Sequence, residues 1–282
     1  MSDLVARVRD SGTSFYWAVR MLPPDRRAAM AALYLFCRAV DDIADEPAPD
    51  ADRNAGLAAW RAWVDGGAAC PDPAVGAVLT QAKEQFALPP EPFSAIIDGV
   101  SMDLPPGMVA PSQSMLEHYC AGVAGAVGLL SVRIFGASGP DVDAFALITG
   151  EALQFTNILR DVVADAAIGR LYLPRECLSA AGIRDFDHPA EVIAHPALPA
   201  ACAAFATQAE QRHAAAMRLL RRLPPADRKA LRPAVVMLAL YRGLLDRLIR
   251  RGWDGGTLHR KPASANRLAT LGTILRYRLF DA

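Results

Sequence analysis

The sequence predicts an all-α protein, and three observations support this prediction. Ala and Leu are plentiful, runs of β-branched residues are short, and the alternating pattern of half-buried strands is nearly absent. Hydrophobic residues make up 52% of the 282 residues and charged residues 21%, so the chain can bury a sizeable core. We therefore expect a single all-α domain spanning residues 1–282, with eight or more helices.

The individual helices follow from apolar periodicity and from the breaks between periodic segments. The first clear helix begins near Pro24 and ends near Asp45, before the PAPD turn at 47–50. The next covers about 53–65 and ends at Gly66 and Gly67. Further helices are predicted at about 73–87, 90–103, 112–136, 141–165, 174–181, 197–223 and 225–252. The breaks at 104–111, 185–199 and 252–264 are too short to be domain linkers.

Charge and cysteine usage exclude several classes of protein. Lys+Arg and Asp+Glu both count 30, which argues against a surface that binds nucleic acid. The five cysteines are scattered, odd in number and without a CxxC motif, so we expect a reducing compartment. The stretch MSDLVARVRDSG has no apolar signal core, and the uncharged run at 120–132 is too short for a spanning helix. We expect a cytoplasmic protein, with room for peripheral contact with the inner membrane face.

The segment CRAVDDIAD places three aspartates near the end of the first clear helix. At about 100° per residue, Tyr34, Arg38, Asp41 and Asp45 share an arc of about 60°, whereas Asp42 points partly away. A solvent-exposed helix face would also explain such a stripe. However, Asp is a poor helix former, and carboxylates near the end of a helix oppose its dipole. The sequence therefore predicts a compensating cation beside this stripe.

A second polar stripe lies in GEALQFTNILRDVVAD, at 150–165. Asn157, Asp161 and Asp165 are spaced i, i+4, i+8 and so lie along one face, with Arg160 on its flank. The rest of this helix is apolar, so burying the stripe without a neutralising partner would be costly. Oxygen ligands without a nearby His or Cys favour a hard cation such as Mg²⁺, which often also binds phosphate. Two such stripes facing each other across a helical cavity predict a diphosphate site.

Five segments resemble those of the squalene/phytoene synthase family and occur in the family's order. They are SFYWAVRMLP at 14–23, YLFCRAVDDIADE at 34–46, HYCAGVAGAVG at 118–128, QFTNILRDVVAD at 154–165 and GRLYLPRE at 169–176. The resemblance covers about Ser14 to Tyr277. It implies the all-α isoprenoid-synthase fold with a central cavity, in which two prenyl diphosphates are joined head to head. It also implies three Mg²⁺ ions bound with diphosphate, and no NADPH.

The resemblance also implies roles for individual residues. Mg²⁺ would be bound by Asp41, Asp45, Asn157, Asp161 and Asp165, with Asp42 only assisting. The substrates would be contacted by Ser14, Tyr34, Arg38, Val123, Val127, Gln154, Arg160 and Tyr241. The catalytic residues would be Arg38, Arg160 and Tyr119, which matches the tyrosine thought to help proton removal or cation steering. Apart from the resemblance, Asp98 and Asp103, in DGVSMD, could support the site from behind its ligands or be exposed, and we expect them to be exposed.

Within the family, SFYWAVRMLP and AIGRLYLPRE are most similar to the bacterial members of the hopanoid route. Those members join two farnesyl diphosphates into presqualene diphosphate and leave its rearrangement to a separate downstream enzyme. A phytoene or dehydrosqualene synthase would share every residue named above and is the main alternative. An inactive assembly factor would show eroded aspartates, whereas both motifs are intact. A class I terpene cyclase would pair one DDxxD with an NSE-type motif, which the sequence lacks.

Overall fold

The computed structural model describes residues 2–11, 15–20 and 22–254, and this part of the chain is mostly helical. Its helices are α1 (Ser2–Asp10), α2 (Phe15–Arg20), α3 (Pro24–Asp45), α4 (Asp50–Val64), α5 (Pro73–Gln85), α6 (Glu91–Ser101), α7 (Gln113–Cys120), α8 (Ala126–Phe135), α9 (Pro140–Ala167), α10 (Arg175–Ala180), α11 (Pro189–Ala194), α12 (Leu198–Arg222), α13 (Pro225–Ala230) and α14 (Arg232–Arg251). A π-helical turn, Ala121–Gly125, joins α7 to α8. Within the described ranges no strand forms, so the all-α prediction is confirmed.

Most predicted helices are found within a few residues of their predicted ends, and α3 has the predicted bounds. The prediction of one helix over 225–252 is wrong, because the chain breaks at Leu231 into α13 and α14. Pro233 lacks an N–H and its ring clashes with the preceding turn of a continuous helix. The sequence pattern also missed α1, α2 and α11, whose nine, six and six residues are too few to show a clear periodicity.

α9 is the helix around which much of the fold packs. It begins with Pro140, and Asp141 and Asp143 lie in its first turn, where carboxylates face the positive end of the helix dipole. Its N-terminal half packs into a hydrophobic core with α3, α4, α6 and α8, and its C-terminal half into a second core with α10 and α12. α9 therefore contributes to both cores and links them.

An aromatic cluster holds α3 against α4 and α6. The ring of Phe36 makes edge-to-face contacts with Trp60, at a centroid distance of 5.2 Å, and with Phe93, at 5.4 Å. Such contacts stabilise beyond the area that they bury. Because Phe36 lies two residues after Tyr34, the two side chains point to nearly opposite faces of α3. Anchoring Phe36 in the core therefore directs the polar stripe of α3 towards the other side of the helix.

The π turn packs directly against its neighbouring helices through glycines. A Cβ added at Gly122 would lie 2.8 Å from the carbonyl oxygen of Ala95 in α6. A Cβ added at Gly150 would lie 2.6 Å from the carbonyl carbon and oxygen of Ala124 in the turn. The prediction of a regular helix over 112–136 missed this turn, in which the helix widens where the backbones meet. The glycines thus set how closely α6, α9 and the π turn approach.

The stretch Gln113–Phe135, which includes the π turn, is long and apolar enough to cross a membrane. Its most apolar window has a mean hydropathy of 1.4, and 56% of that window is buried inside the protein. A stretch that packs in this way against α6 and α9 is typical of a core helix.

Two non-helical segments meet beside α6 and bring distant residues together. The N–H of Ala110 donates to the carbonyl of Leu171, and the N–H of Leu171 donates to the carbonyl of Met108, both at 2.8 Å. This isolated pairing fixes Arg170 and Tyr172, the neighbours of Leu171, next to the loop that follows α6.

We predict that Gly150→Ala destabilises the fold, whereas Gly243→Ala does not. At Gly150 the added methyl meets backbone atoms that cannot move aside, which should lower the free energy of unfolding by about 1–3 kcal/mol. Gly243 is also a helical glycine, but there the methyl meets only the Arg247 guanidinium at 3.6 Å. This control should be neutral or stabilising by up to about 1 kcal/mol. Urea unfolding followed by circular dichroism measures both, and equal effects would contradict the prediction.

Candidate active site

A cavity of about 600 Å³ opens between α3, α6, α9 and α14, with further wall residues from α2, α7, α8 and the π turn. Most of its wall is apolar. The polar side chains of the wall include Tyr34, Arg38, Asp41, Tyr119, Gln154, Asn157, Arg160 and Tyr241. An apolar cavity of this size with a few convergent polar groups is typical of a small-molecule site.

The structure brings most of the predicted site residues into this one cavity. Those in its wall are Tyr34, Arg38, Asp41, Tyr119, Val123, Val127, Gln154, Asn157, Arg160 and Tyr241. Asp45, Asp161 and Asp165 are not part of the wall. Asp45 lies one helical turn beyond Asp41 on α3, and Asp161 and Asp165 lie one and two turns beyond Asn157 on α9. Ser14 lies outside the described residues. The roles assigned to these residues remain predictions.

Arg38 and its carboxylate partners form the part of the site that α3 provides. The guanidinium of Arg38 lies 2.6 Å from a carboxylate oxygen of Asp42 and 3.5 Å from one of Asp41. Asp42, which points partly away from the predicted stripe, is thus the closer partner of Arg38. Because the Arg38 side chain is about half exposed, these ion pairs are weak. Arg38 can therefore turn towards a bound anion at little cost.

Arg160 and Asp161 form a close pair on α9. Nε and Nη2 of Arg160 donate to the two carboxylate oxygens of Asp161, at 2.8 and 2.5 Å. Burial lowers the pKa of Arg160, but Asp161 and the hydroxyl of Tyr241 outweigh burial and raise the pKa overall. Asp161, a predicted metal ligand, is thus held by the neighbouring arginine, which remains fully charged.

Arg170 is a site residue that the sequence interpretation missed. Its guanidinium donates to Asp45 Oδ1 at 2.5 Å and to the carbonyl of Ala44 at 3.1 Å, and its own N–H donates to the carbonyl of Asp165 at 2.9 Å. Arg170 therefore connects the carboxyl ends of α3 and α9, where a cation is favourable. Arg170 is a cation of the kind expected beside Asp45. It belongs to the segment GRLYLPRE, but nothing in that segment indicates that its partner is Asp45.

Asp103 is buried, so the expectation that it is exposed is wrong. Its side chain accepts hydrogen bonds from the hydroxyls of Tyr119, at 2.9 Å, and Tyr172, at 2.6 Å. The two tyrosine rings stack with their centroids 5.2 Å apart. The pairing of the segment around Leu171 covers Asp103, which a local pattern does not reveal. Asp98 is exposed, as expected, and pairs with Arg61.

Burial and neighbouring carboxylates raise the pKa values of two predicted metal ligands. Burial, followed by the charge of Asp45, raises the pKa of Asp41, which lines the cavity, to about 6. Burial, followed by the charge of Asp161, raises the pKa of Asp165 to about 7, although Arg170 opposes the shift. The arginines therefore do not fully neutralise the carboxylates, and a further cation would be favourable.

The donor atoms fit Mg²⁺ by their chemistry. Oδ1 of Asn157 is buried without a hydrogen-bond partner, while Nδ2 of the same side chain donates to Gln154 Oε1 at 3.2 Å. A buried carbonyl oxygen without a partner is costly, and a hard cation would satisfy it. As they stand, no three His, Cys, Asp or Glu side chains in residues 2–11, 15–20 and 22–254 form a group that could hold a metal ion.

Comparison with known proteins gives matches along most of the chain. A family model described as squalene/phytoene synthase matches residues 8–267. The presqualene diphosphate synthase of Sinorhizobium fredii is 42% identical over 269 residues, which cover 95% of this chain and 94% of the relative. The phytoene synthase of Mycobacterium tuberculosis is 36% identical over 176 residues, which cover 62% and 58%. A crystal structure of a dehydrosqualene synthase in complex with ligand matches with a TM-score of 0.80 over 99% of this chain and 95% of that chain, at 24% identity, which supports the fold.

We predict that Asp165→Asn stabilises the protein at pH 8 in the presence of EDTA. The pKa of Asp165 in the folded protein, about 7, exceeds that of an unfolded chain, about 4. Its ionisation therefore destabilises the fold increasingly as the pH rises above about 4, with the full effect above pH 7. Removing the charge should add about 2 kcal/mol at pH 8. The gain should shrink as the pH falls through 7 and vanish below about 4.

Urea unfolding between pH 4 and pH 8 measures this dependence. Asp187→Asn, which removes an exposed carboxylate before α11, is the matched control and should show no such trend. A gain that does not change with pH, or a loss at pH 8, would contradict the prediction.

Proposed function

The chain belongs to the squalene/phytoene synthase family, and from this premise we propose that it joins two farnesyl diphosphates head to head into presqualene diphosphate, releasing one diphosphate. The observation that carries the proposal is the cavity, which combines an apolar body with Arg38, Arg160, Asp41 and Asn157 in its wall. Such a cavity suits a ligand with a long apolar tail and an anionic head.

The extent of the sequence matches favours presqualene diphosphate synthesis over the phytoene alternative. The relative from Sinorhizobium fredii matches 95% of this chain, whereas the phytoene synthase from Mycobacterium tuberculosis matches 62% at lower identity. Family membership, predicted from the sequence, is confirmed by the family model. We therefore place the chain in squalene and hopanoid synthesis, where a separate enzyme would rearrange its product.

The diphosphate groups would bind at the polar part of the cavity wall. Mg²⁺ would be held by Asp41, Asp45, Asn157, Asp161 and Asp165, and when bound it would neutralise the charge of the departing diphosphate. Arg38 and Arg160 would contribute to the same task, because guanidinium groups bind phosphate oxygens through two hydrogen bonds. Arg38 lies 3.5 Å from Asp41, and Arg160 donates to Asp161. Both carboxylates would instead bind metal, so substrate binding would weaken these pairs and leave the arginines for the anion.

The apolar part of the cavity would hold the two prenyl tails and protect the reacting carbons. Val123 and Val127 line it, as predicted for tail contacts, together with other apolar residues of α3, α8 and α14. Cleavage of the C–O bond of one substrate leaves an allylic cation, which the double bond of the other substrate attacks. An apolar wall excludes water, which would otherwise react with that cation. Tyr119, which also lines the cavity, would contact the reacting carbons.

The location and the partners of the enzyme remain expectations. We expect a cytoplasmic protein that contacts the inner membrane face peripherally, because both substrate and product carry long apolar chains. We also expect activity without NADPH.

The activity test uses purified protein with MgCl₂ and either farnesyl or geranylgeranyl diphosphate, with and without NADPH. Mass spectrometry should find presqualene diphosphate from farnesyl diphosphate, in equal yield with and without NADPH. A forty-carbon hydrocarbon from geranylgeranyl diphosphate as the main product would instead identify a phytoene synthase. Absence of turnover with both substrates would overturn the proposal.

We predict that Asp161→Ala lowers turnover of farnesyl diphosphate at least about 100-fold while leaving the helix content near that of the wild type. Without the carboxylate, the site should also bind Mn²⁺ more weakly in the presence of inorganic pyrophosphate, as measured by calorimetry. Asp141→Ala, at an exposed position in the first turn of the same helix, is the control and should retain turnover. Near-normal turnover in Asp161→Ala would disprove the metal assignment.

A further inference from the structure

Asp103 lies directly behind a residue of the cavity wall. Tyr119 lines the cavity, whereas Asp103 and Tyr172 do not and are reached only through the protein. Asp103 is 7% exposed and Tyr119 is 5% exposed, so bulk solvent makes little contact with either residue. The Asp103 carboxylate is therefore connected to the cavity through its hydrogen bond with the Tyr119 hydroxyl.

The hydrogen-bond pattern fixes the direction of the Tyr119 hydroxyl. An ionised carboxylate can only accept hydrogen bonds, so Tyr119 and Tyr172 must both donate to Asp103. The contact between the two hydroxyl oxygens, at 3.5 Å, is too long to compete with the bond of Tyr119 to Asp103 at 2.9 Å. With its proton directed at Asp103, the Tyr119 oxygen keeps its lone pairs for other partners.

Burial makes the Asp103 carboxylate a better proton acceptor than an exposed aspartate. Burial raises the pKa of Asp103, hydrogen bonds from the two tyrosines and the charge of Arg170 lower it, and Asp45 raises it again, with a net rise. Asp41 and Asp165 also interact electrostatically with Asp103. The carboxylate is therefore easier to protonate than a solvent-exposed aspartate.

We propose that Asp103 is a positioning residue for the proposed reaction, which orients the Tyr119 hydroxyl as a proton acceptor towards the cavity and takes up the proton that Tyr119 passes on. The inference rests on the proposed function, because that reaction must release a proton. No local feature of the sequence indicated this role.

Closure of the cyclopropane ring releases the proton. After the first carbon–carbon bond has formed, the positive charge lies on a tertiary carbon of the second substrate. A C–H bond breaks at the newly joined carbon of the first substrate, and its electron pair forms the bond that closes the cyclopropane. The released proton goes to the Tyr119 oxygen, while the original hydroxyl proton passes to Asp103. No oxidant, reductant or further reactant is needed, and the proton later returns to solvent.

A purely structural role does not account for the buried carboxylate of Asp103. Burying a carboxylate costs free energy even when it is hydrogen-bonded, and apolar replacements of similar shape are often at least as stable. Two tyrosines are here directed at one buried carboxylate, and one of them lines the cavity. Buried charged groups with shifted pKa values beside a cavity are characteristic of functional sites.

The test compares Asp103→Asn with the wild type, using farnesyl diphosphate and Mg²⁺. Asn keeps the shape of Asp but takes up no proton. We expect kcat to fall about 100-fold or more, with KM within about threefold. The tertiary cation that is not deprotonated should be captured by water, so the ratio of diphosphate released to presqualene diphosphate formed should rise above one. Asp98→Asn, an exposed change on α6, is the control and should match the wild type.

A double-mutant cycle shows whether Asp103 acts through Tyr119. In a Tyr119→Phe background, Asp103→Asn should lower kcat less than threefold further, because the hydrogen bond between Tyr119 and Asp103 is already absent. Should circular dichroism show that Asp103→Asn is poorly folded, Asp103→Glu replaces it in the same cycle, since it keeps the charge but shifts the carboxylate. The inference would be overturned if the two substitutions lowered kcat independently, so that their effects multiplied in the double variant. It would also be overturned if Asp103→Asn had the product ratio and kcat of the wild type. If the wild type itself released no diphosphate, the proposed function would fail instead.

Discussion

The accumulation of negative charge at the carboxyl ends of α3 and α9 is the constraint on which the site depends. Neither helix carries a basic residue in its last turn, and both carry aspartates there, against the direction of their dipoles. Arg170 is shared between these two ends, where it pairs with Asp45 and lies near Asp165. Arg38, Arg160 and Arg170 together face five carboxylates, those of Asp41, Asp42, Asp45, Asp161 and Asp165. The two helix ends therefore keep an excess of negative charge, which a bound cation would offset.

The packing of the helices prevents this repulsion from relaxing. Phe36 anchors α3 in an aromatic cluster, and Gly150 brings the backbone of α9 against the π turn. Because both helices are held by rigid, closely packed contacts, the carboxylates cannot move apart when they are charged. The fold thus stabilises an arrangement that is unfavourable by itself, as is common where stability and function compete.

The sequence predicted those parts of the site that depend on one helix at a time. The bounds of α3 and the shared faces of Arg38 with Asp41, and of Gln154 with Asn157, follow from helical geometry alone, and all four residues line the cavity. The environments of Asp103 and Arg170 could not be predicted in this way, because their partners lie far away in the chain. Asp103 meets Tyr172 across 69 residues and Arg170 meets Asp45 across 125, through a short loop pairing that has no periodic signature. The π turn was missed because its widening depends on glycine contacts with other helices.

The carboxylates around the cavity would have two different tasks, cation binding and proton uptake. Carboxylates on α3 and α9 would bind cations and would then be poor proton acceptors, since a nearby positive charge favours the ionised form. Asp103 is shielded from the cavity by Tyr119 and stays outside that set, although Arg170 and Asp45 still act on it electrostatically. A single carboxylate could not serve both purposes, because strong cation binding and ready protonation make opposite demands on its pKa. With Asp103 behind Tyr119 and outside the stripes proposed to bind metal, both demands could be met around one cavity.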